Sequence, residues 1–399
     1  MSKSNSADPV VIVSAARTPI GGFQGALADF AAPELGATAI RAAVTRAGLQ
    51  PDHVSEVLMG CVLPAGQGQA PARQAAIKAG LPHSVPATTI NKMCGSGMKA
   101  VMQAADALAA RPGDIFVAGG MESMTNAPYL LAKMRGGARL GHAEVKDHMF
   151  LDGLEDAFEP GRLMGTYAED TAEKYQMTRA AQDAFAIESL RRARRASEDG
   201  SFASEITPVT AEGRKGTIRV TRDEQPFTAD AARIPSLKPA FRKDGTVTAA
   251  NSSSISDGAA ALVLMRGAEA KRRKLKPIAR IVAQASHAQA PAWFTTAPVK
   301  AIEKVLAAAG WNAGDVGLYE INEAFAVVTM AAMHEIGLSG DKVNVHGGAC
   351  ALGHPIGASG ARIIVTLLAA MEKYGVERGV ASLCIGGGEA TAIAIERLG

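Results

Sequence analysis

The chain has 399 residues, beyond the size at which one hydrophobic core usually keeps growing, so two or more domains are expected. Apolar residues make up 47% and charged residues 20%, the composition of an ordinary soluble protein, and a net charge of +3 gives no argument for a nucleic-acid partner. The four cysteines, Cys61, Cys94, Cys350 and Cys384, form no C-x-x-C pair, so a reducing compartment is expected rather than a disulfide scaffold. The polar start MSKSNSADP has no apolar core of a signal peptide, the ending ERLG is no peroxisomal address, and no apolar run reaches the ~20 residues that cross a bilayer. Cytoplasmic residence follows as the expectation.

In chain order, the first part reads as alternating strands and helices. Strands are expected at 10–14, 56–59, 87–90 and 115–118, and helices at 33–47, 70–79 and 98–110, with Gly48 and Gly80 as stops. Such alternation implies a mainly parallel sheet covered by helices. From about 125 to 248 charge rises and strands become scarce, with one clear helix over 179–197. This stretch reads as an insertion lying over a site. The α/β pattern then returns: strands at 259–265, 278–284, 318–321 and 379–384, helices at 299–309, 324–336 and 360–374. The basic runs Arg191–Arg195 and Lys271–Lys274 read as solvated helix faces, with attraction of an anionic cofactor or substrate as the sharper alternative. A faint internal echo relates IFVAGGMESMT (Ile115 to Thr125) to GVASLCIGGGEAT (Gly379 to Thr391), and the Cys94 turn to Gly357-Ala-Ser-Gly. Two like halves would face equivalent turns across one cleft.

Cys94, in NKMCGSGMKA, precedes a Gly-Ser-Gly turn and a helical pattern. A helix N-terminus favours an anion, so this placement is expected to favour the reactive thiolate. Cys384 precedes the Gly386–Gly388 triplet. Between the two lie NEAF (Asn322 to Phe325) and GHPIGASGAR (Gly353 to Arg362). Two thiols, a histidine and an asparagine in Gly-rich turns suggest acyl chemistry through a covalent thioester. Plainer readings are buried packing cysteines, a structural His354 and Asn322 as a helix N-cap. Cys61 and Cys350 are read as packing residues. The spacing of His346, Cys350 and His354 could suit a metal on a helix, but the glycines and proline around them argue against a regular helix there. The glycine triplet lacks dinucleotide-binding spacing.

These segments, together with VIVSAARTPIGGFQGAL (Val11 to Leu27), closely resemble the thiolase family over essentially the whole chain and in the family's order. The resemblance implies two similar βαβαβαββ halves in a five-layered α/β/α/β/α core with an inserted loop domain. The expected division is 1–124 with 249–277 for the N-terminal half, 125–248 for the CoA-binding insertion, and 278–399 for the C-terminal half. It implies a reversible condensation of two acetyl-CoA to acetoacetyl-CoA and CoA. Cys94 would carry the acetyl group, His354 take its proton, and Cys384 remove the α-proton of the second substrate. One oxyanion hole would be His354 with an Asn322-held water, and the other the N–H groups of Cys94 and Gly386.

By resemblance, CoA contacts fall at Leu154, Met164, Ala249, Ser253, Ala324 and Phe325, with Phe294 walling the acyl pocket. Lys238, Arg242 and Lys243 could attract its phosphates by charge. Coenzyme A is then substrate and product, with no cofactor, no metal and no membrane partner, and a homodimer or homotetramer is implied. The chain departs from the family where short-chain biosynthetic members read Tyr-His-Met-Gly and this one reads Arg162-Leu163-Met164-Gly165; Arg233 also stands where a small polar contact is common. Alternatives are a 3-ketoacyl-CoA thiolase of fatty acid breakdown taking longer chains, and, in another class, a non-catalytic acyl-CoA or lipid carrier.

Overall fold

The structure, a computed structural model, describes residues 8–213 and 216–398. The N-terminal segment read for a signal peptide therefore lies, up to residue 7, outside the described residues, as does the last residue of ERLG. The first half contains β1 (Val10–Arg17), β2 (Gly21–Gly22), α1 (Ala32–Arg46), β3 (Glu56–Gly60), α2 (Pro71–Lys78), β4 (Ala87–Ile90), α3 (Ser96–Ala110) and β5 (Phe116–Ser123). The intervening segment contributes β6 (Tyr129–Leu131), β7 (Val145–Asp147), α4 (Met164–Lys174), α5 (Arg179–Glu198), β8 (Val209–Gly213), β9 (Gly216–Val220) and α6 (Gln225–Thr228). β10 (Ser256–Arg266) and α7 (Gly267–Arg272) follow. The second half is β11 (Ala279–Ala288), α8 (Ala297–Ala309), β12 (Leu318–Ile321), α9 (Ala326–Ile336), α10 (Ala349–Leu352), α11 (Ile356–Tyr374), β13 (Arg378–Ile385) and β14 (Glu389–Arg397).

The main strands run in the order β4-β3-β5-β10-β1 and continue β11-β14-β13-β12. The second set repeats the first in reverse. β3–β5 and β12–β13 are parallel, while β5–β10–β1 and β13–β14–β11 are antiparallel. A parallel bridge from Tyr319 to Val343 stands where β4 pairs with β3 in the first half. The halves join through the pairs Val11–Arg280 and Ile12–Ala279. α3 and α11 pack together between the halves, sharing a core with strands of both. α1 and α2 cover the outer face of the first half, and α8 with Met333 and Ile336 of α9 that of the second. The result is five layers, helix and sheet alternating.

Local chemistry sets the ends of these elements. Glu34 accepts from the Ala31 N–H at 3.0 Å and closes the start of α1. Gly310, Gly337 and Gly375, at φ +70°, +75° and +66°, end α8, α9 and α11. The eight residues of β5 are all buried, as expected for a strand covered on both faces.

Several expectations are corrected. α9 begins at Ala326, not 324, because NEAF is loop and Phe325 is the flanking residue. α11 begins at Ile356, four residues before the expected start. The inserted segment is more regular than its sequence suggested, with α4 and the two ribbons β6–β7 and β8–β9. The basic run on α5 is not simply solvated: Arg192 reaches the Val343 carbonyl at 2.6 Å, Arg194 that of Pro226 at 2.6 Å, and Arg195 that of Val345 at 2.9 Å. These bonds tie α5 onto the body. Arg272 pairs with Glu269 at 2.6 Å, and Arg273 joins the same carboxylate.

Candidate active site

Cys94 sits in the short turn between β4 and α3. Met93 adopts φ +48°, and the Ser96 hydroxyl locks the turn by accepting from the Lys92 N–H at 2.8 Å and donating to the Met93 carbonyl at 2.6 Å. The N–H groups of Gly386 and of Cys94 itself face the sulfur and favour its anion, but burial outweighs them and pushes the thiol up to about 11, with Glu122 adding to the rise. The expected helix-end activation is thus overridden: the resting group is a thiol that needs a base.

Cys384 lies near the end of β13, buried in the apolar cluster of Phe294, Ala324 and Phe325, with Met164 beside it. Burial pushes its thiol well above the ordinary range, and the charge of Cys94 raises it further, so the two sulfurs act on one another within one site. Gly386 follows two residues later; a Cβ there would lie 3.6 Å from the Met164 sulfur.

His354 enters from the turn before α11. Gly353, at φ +104°, has no room for a side chain, since a Cβ would lie 2.1 Å from the Ser256 hydroxyl. The His354 N–H donates to the Ser254 carbonyl at 3.1 Å. Its Nδ1 is 2.5 Å from Ser359 Oγ, and that hydroxyl donates its own hydrogen to the Pro355 carbonyl at 3.0 Å. With that hydrogen on Pro355, Nδ1 is assigned the ring proton, which leaves Nε2 a bare acceptor. Nε2 is buried and has no hydrogen-bond partner in the protein. Burial, then Arg362, pushes the imidazolium down to about 3, so the ring is neutral at neutral pH.

Asn322 ends the β12 segment with its N–H on the Ser382 carbonyl at 3.0 Å, and both its amide atoms are buried without a protein partner. It caps no helix. Two buried side chains thus keep polar atoms free for something other than the protein.

Most of the remaining expected contacts lie beside Cys94 and Cys384, while Ala249 lies in an adjoining cavity. The Ser253 N–H donates to the Ala324 carbonyl at 2.9 Å, and Ser252 bridges to Phe325. Leu154 and Cys94 pack against the same cluster of Val62, Leu63 and Ile356. Phe294 stacks edge-on to Tyr167 with centroids 6.2 Å apart. Ala249 lines a neighbouring cavity of about 330 Å³ with Arg233, Ser254 and Cys350. Of the phosphate candidates, Lys238 and Lys243 are exposed, but Arg242 is committed to Asp170.

Cys61 and Cys350 do more than pack: their thiols face Glu122 Oε1 at 3.5 Å and the Glu323 carbonyl at 3.7 Å. His346 lies between the rings of Phe202 and Tyr374. Among the described residues no group of three or more His, Cys, Asp or Glu side chains is gathered as a metal ion requires. Gly387 and Gly388, at φ +89° and +90°, turn β13 into β14 rather than into a helix, so no phosphate cradle follows. Ser359, which fixes the tautomer of His354, was not singled out from sequence; its signal was a hydroxyl five residues after the histidine.

Family models for the thiolase N-terminal domain and the thiolase C-terminal domain match residues 10–268 and 275–397. The chain belongs to the thiolase family. It is 52% identical over 391 residues to an acetyl-CoA acetyltransferase of Cupriavidus necator, covering 97% of this chain and 99% of that one. It is 50% identical to the cytosolic acetyl-CoA acetyltransferase of Mus musculus, covering 98% of each. The crystal structure of the Bacillus anthracis acetyl-CoA acetyltransferase superposes with a TM-score of 0.95 at 42% identity, over 99% of this chain and 100% of that one. Where this thiolase departs from the short-chain pattern, Arg162 stacks 3.8 Å over the Tyr167 ring and pairs with Glu159 at 2.8 Å and Asp170 at 2.5 Å. Leu163 directly precedes α4.

Proposed function

We propose that the protein is an acetyl-CoA C-acetyltransferase, joining two acetyl-CoA into acetoacetyl-CoA and CoA, reversibly. The observation that carries this reading is the meeting, in one site, of the mutually acting thiols of Cys94 and Cys384 with a neutral His354 whose Nε2 is a free acceptor. His354 takes the Cys94 proton as the sulfur attacks the first thioester carbonyl. The departing CoA thiolate takes that proton back, and an acetyl-cysteine remains. Acetylation removes the ionisable thiol of Cys94, so no thiolate there can oppose ionisation of Cys384; Cys384 then gives its own proton to His354 Nε2 and, as thiolate, takes the α-proton. The resulting enolate attacks the acetyl-Cys94 carbonyl, a carbon–carbon bond forms, and the Cys94 sulfur leaves as thiolate and takes the proton held on His354 Nε2, while the α-proton stays on Cys384, so all three groups return to their starting forms. The N–H groups of Cys94 and Gly386 would hold one oxyanion; His354, protonated at Nε2, and a water on Asn322 would hold the other. The insertion with Leu154, Met164, Ala249, Ser253, Ala324, Phe325 and Phe294 would bind the pantetheine arm and acetyl group. Coenzyme A is consumed and released as substrate, and the scheme needs neither metal nor redox cofactor.

The division 1–124 with 249–277, 125–248 and 278–399, and a cytoplasmic location, belong to the same proposal. So does a homo-oligomer, supported by the exposed apolar residues Tyr129, Leu131 and Val145 of the β6–β7 ribbon and Leu140 between its strands, 53–97% exposed.

In the test, Cys94→Ser is expected to lose at least about 100-fold in turnover, while Cys384→Ser blocks condensation yet still shows acetylated Cys94 by mass spectrometry after acetyl-CoA exposure. Normal condensation by Cys384→Ser sinks its role as carbon base, and the absence of any acetyl adduct on the unaltered chain favours a carrier. Faster cleavage of octanoyl-length 3-ketoacyl-CoA than of acetoacetyl-CoA replaces acetyl specificity with the long-chain reading.

A further inference from the structure

Glu122, in the middle of GGMES on β5, is fully buried and lies outside the chemistry described above. Its two oxygens accept from four donors. Oε1 takes the Leu63 N–H at 3.1 Å and the Cys61 thiol at 3.5 Å; Oε2 takes the Val62 and Gly357 N–H groups, each at 2.9 Å. Val62 and Leu63 follow β3 in the first half. Gly357 is in the first turn of α11 in the second half, three residues after His354. Val62, Leu63 and Ile356 form the apolar floor on which Cys94 packs. One carboxylate therefore pins both walls of the pocket to a central strand. The fit is tight: a Cβ on Gly357 would lie 2.6 Å from Glu122 Oε2.

We propose that Glu122 is a positioning residue, which ties the turn bearing His354 to the floor beneath Cys94 and, when ionised, sets a negative charge against that sulfur. The inference rests on the acyl-transfer reading only for its kinetic consequence. Three backbone N–H groups favour the carboxylate, but burial wins and pushes Glu122 up to about 7. Its charge opposes ionisation of both Cys61 and Cys94. Other titratable groups on the elements packed against β5 include His354 and Arg362 of the α11 segment, Glu56 on β3, Lys99 and Asp106 on α3, and Arg266 and Asp257 on β10, the last holding the Thr125 hydroxyl at 2.6 Å.

The test is Glu122→Gln in the full chain. The amide keeps one accepting oxygen and turns its nitrogen toward donors, so about half the bonds are lost. Turnover is expected to fall about 10-fold or more, with KM for the acyl-CoA changed less than about 3-fold, the loss a mispositioned group produces. The pH midpoint for alkylation of Cys94 by iodoacetamide, read by peptide mass spectrometry, is expected to drop by about one unit once the opposing charge is gone. A purely structural role would lower stability and leave that midpoint in place. A folded variant with undiminished turnover, or with an unmoved midpoint, overturns the proposal.

Glu122→Asp separates the parts: the charge stays but falls short of its donors, so turnover drops with the midpoint kept, and full turnover there overturns the positioning role. Should neither variant fold, the unaltered protein still decides. The infrared band of the protonated Glu122 carboxyl should vanish near pH 7 together with a step in Cys94 alkylation rate, and a smooth rate through that range overturns the proposal. Alkylation needs no CoA, so these readouts stand apart from failure of the acyl-transfer reading, which shows as missing acetyl-Cys94 in the unaltered chain.

Discussion

Single buried residues set how this molecule responds to acid. His346 is fully buried, with neither ring nitrogen bonded, and its ring lies 5.7 Å from that of Phe202 and 5.6 Å from that of Tyr374. Burial, helped by Lys373, pushes its imidazolium down to about 4. An unfolded histidine protonates near pH 6.5. Above that value neither state is charged and the residue contributes no pH dependence. Between about 6.5 and 4 the unfolded chain takes a proton that the folded chain refuses, so stability falls as pH falls, by about 3 kcal/mol across the window. His354 acts in the same direction. His346→Phe keeps an aromatic ring and removes two unpaired polar atoms, so urea unfolding at pH 7 should give equal or higher stability, and the loss between pH 7 and pH 5 should shrink by about 2 kcal/mol. An unchanged acid loss would clear His346 of this role. Sequence offered His346 only as a metal candidate by spacing; that it stands between two aromatic rings depends on partners far away in the chain. Cys94, His354 and Cys384 were legible because reactive side chains in Gly-rich turns have few packing reasons to be there. Ser359 was not, since a serine in the Gly357-Ala-Ser-Gly turn just ahead of the expected helix does not show by itself which imidazole it orients.

Among the elements, the α3–α11 crossing is the tightest constraint. A Cβ on Gly360 would lie 2.6 Å from the Met98 backbone nitrogen, and one on Gly97 would lie 2.8 Å from that of Ala361. Backbone cannot swing aside like a long side chain, so Gly360→Ala must push the helices apart, despite alanine's better helix propensity. The expected cost is about 1–3 kcal/mol, read as a lower urea midpoint, and it should bring a loss of activity because the two helices start at the turns that bear Cys94 and His354. A gain in stability would show that the helices do not meet as described. The same burial explains what sequence could tell about elements. Strands 87–90 and 318–321 match residue for residue, being short runs between turns, the first rich in β-branched residues and the second mostly apolar. α11 was cut short because its first turns carry two glycines, which local propensity counts against a helix and close packing requires. α4, starting without a side-chain cap, and the ribbons β6–β7 and β8–β9 are fixed by tertiary contacts or by pairing, neither of which leaves a strong local period.

At the scale of the whole molecule, the two halves repeat one another across the β1–β11 junction, and the site lies where their equivalent turns meet. Sequence carried the repeat only as an echo between glycine-rich segments. The junction itself has no local signature, since strand neighbours in a sheet are set by topology rather than by composition. One ion pair crosses between halves at the site: Lys92, two residues before Cys94, with Glu389, the first residue of β14 after the Gly386–Gly388 turn. Their side chains are 23% and 36% exposed, so water screens the pair and its contribution to folding should be small. Its place matters more than its strength, because it ties the turn holding the Cys94 sulfur to the turn whose Gly386 N–H faces that sulfur. Lys92→Glu and Glu389→Lys are each expected to lose about 5-fold in turnover, equivalent to about 1 kcal/mol, with little change in unfolding midpoint. The doubly exchanged variant restores the attraction with its sense reversed and should recover to within about 2-fold of the unaltered chain. If instead the double variant is as poor as the product of the two single losses, the halves are aligned by their packed helices alone and the pair is a surface contact without consequence for the chemistry.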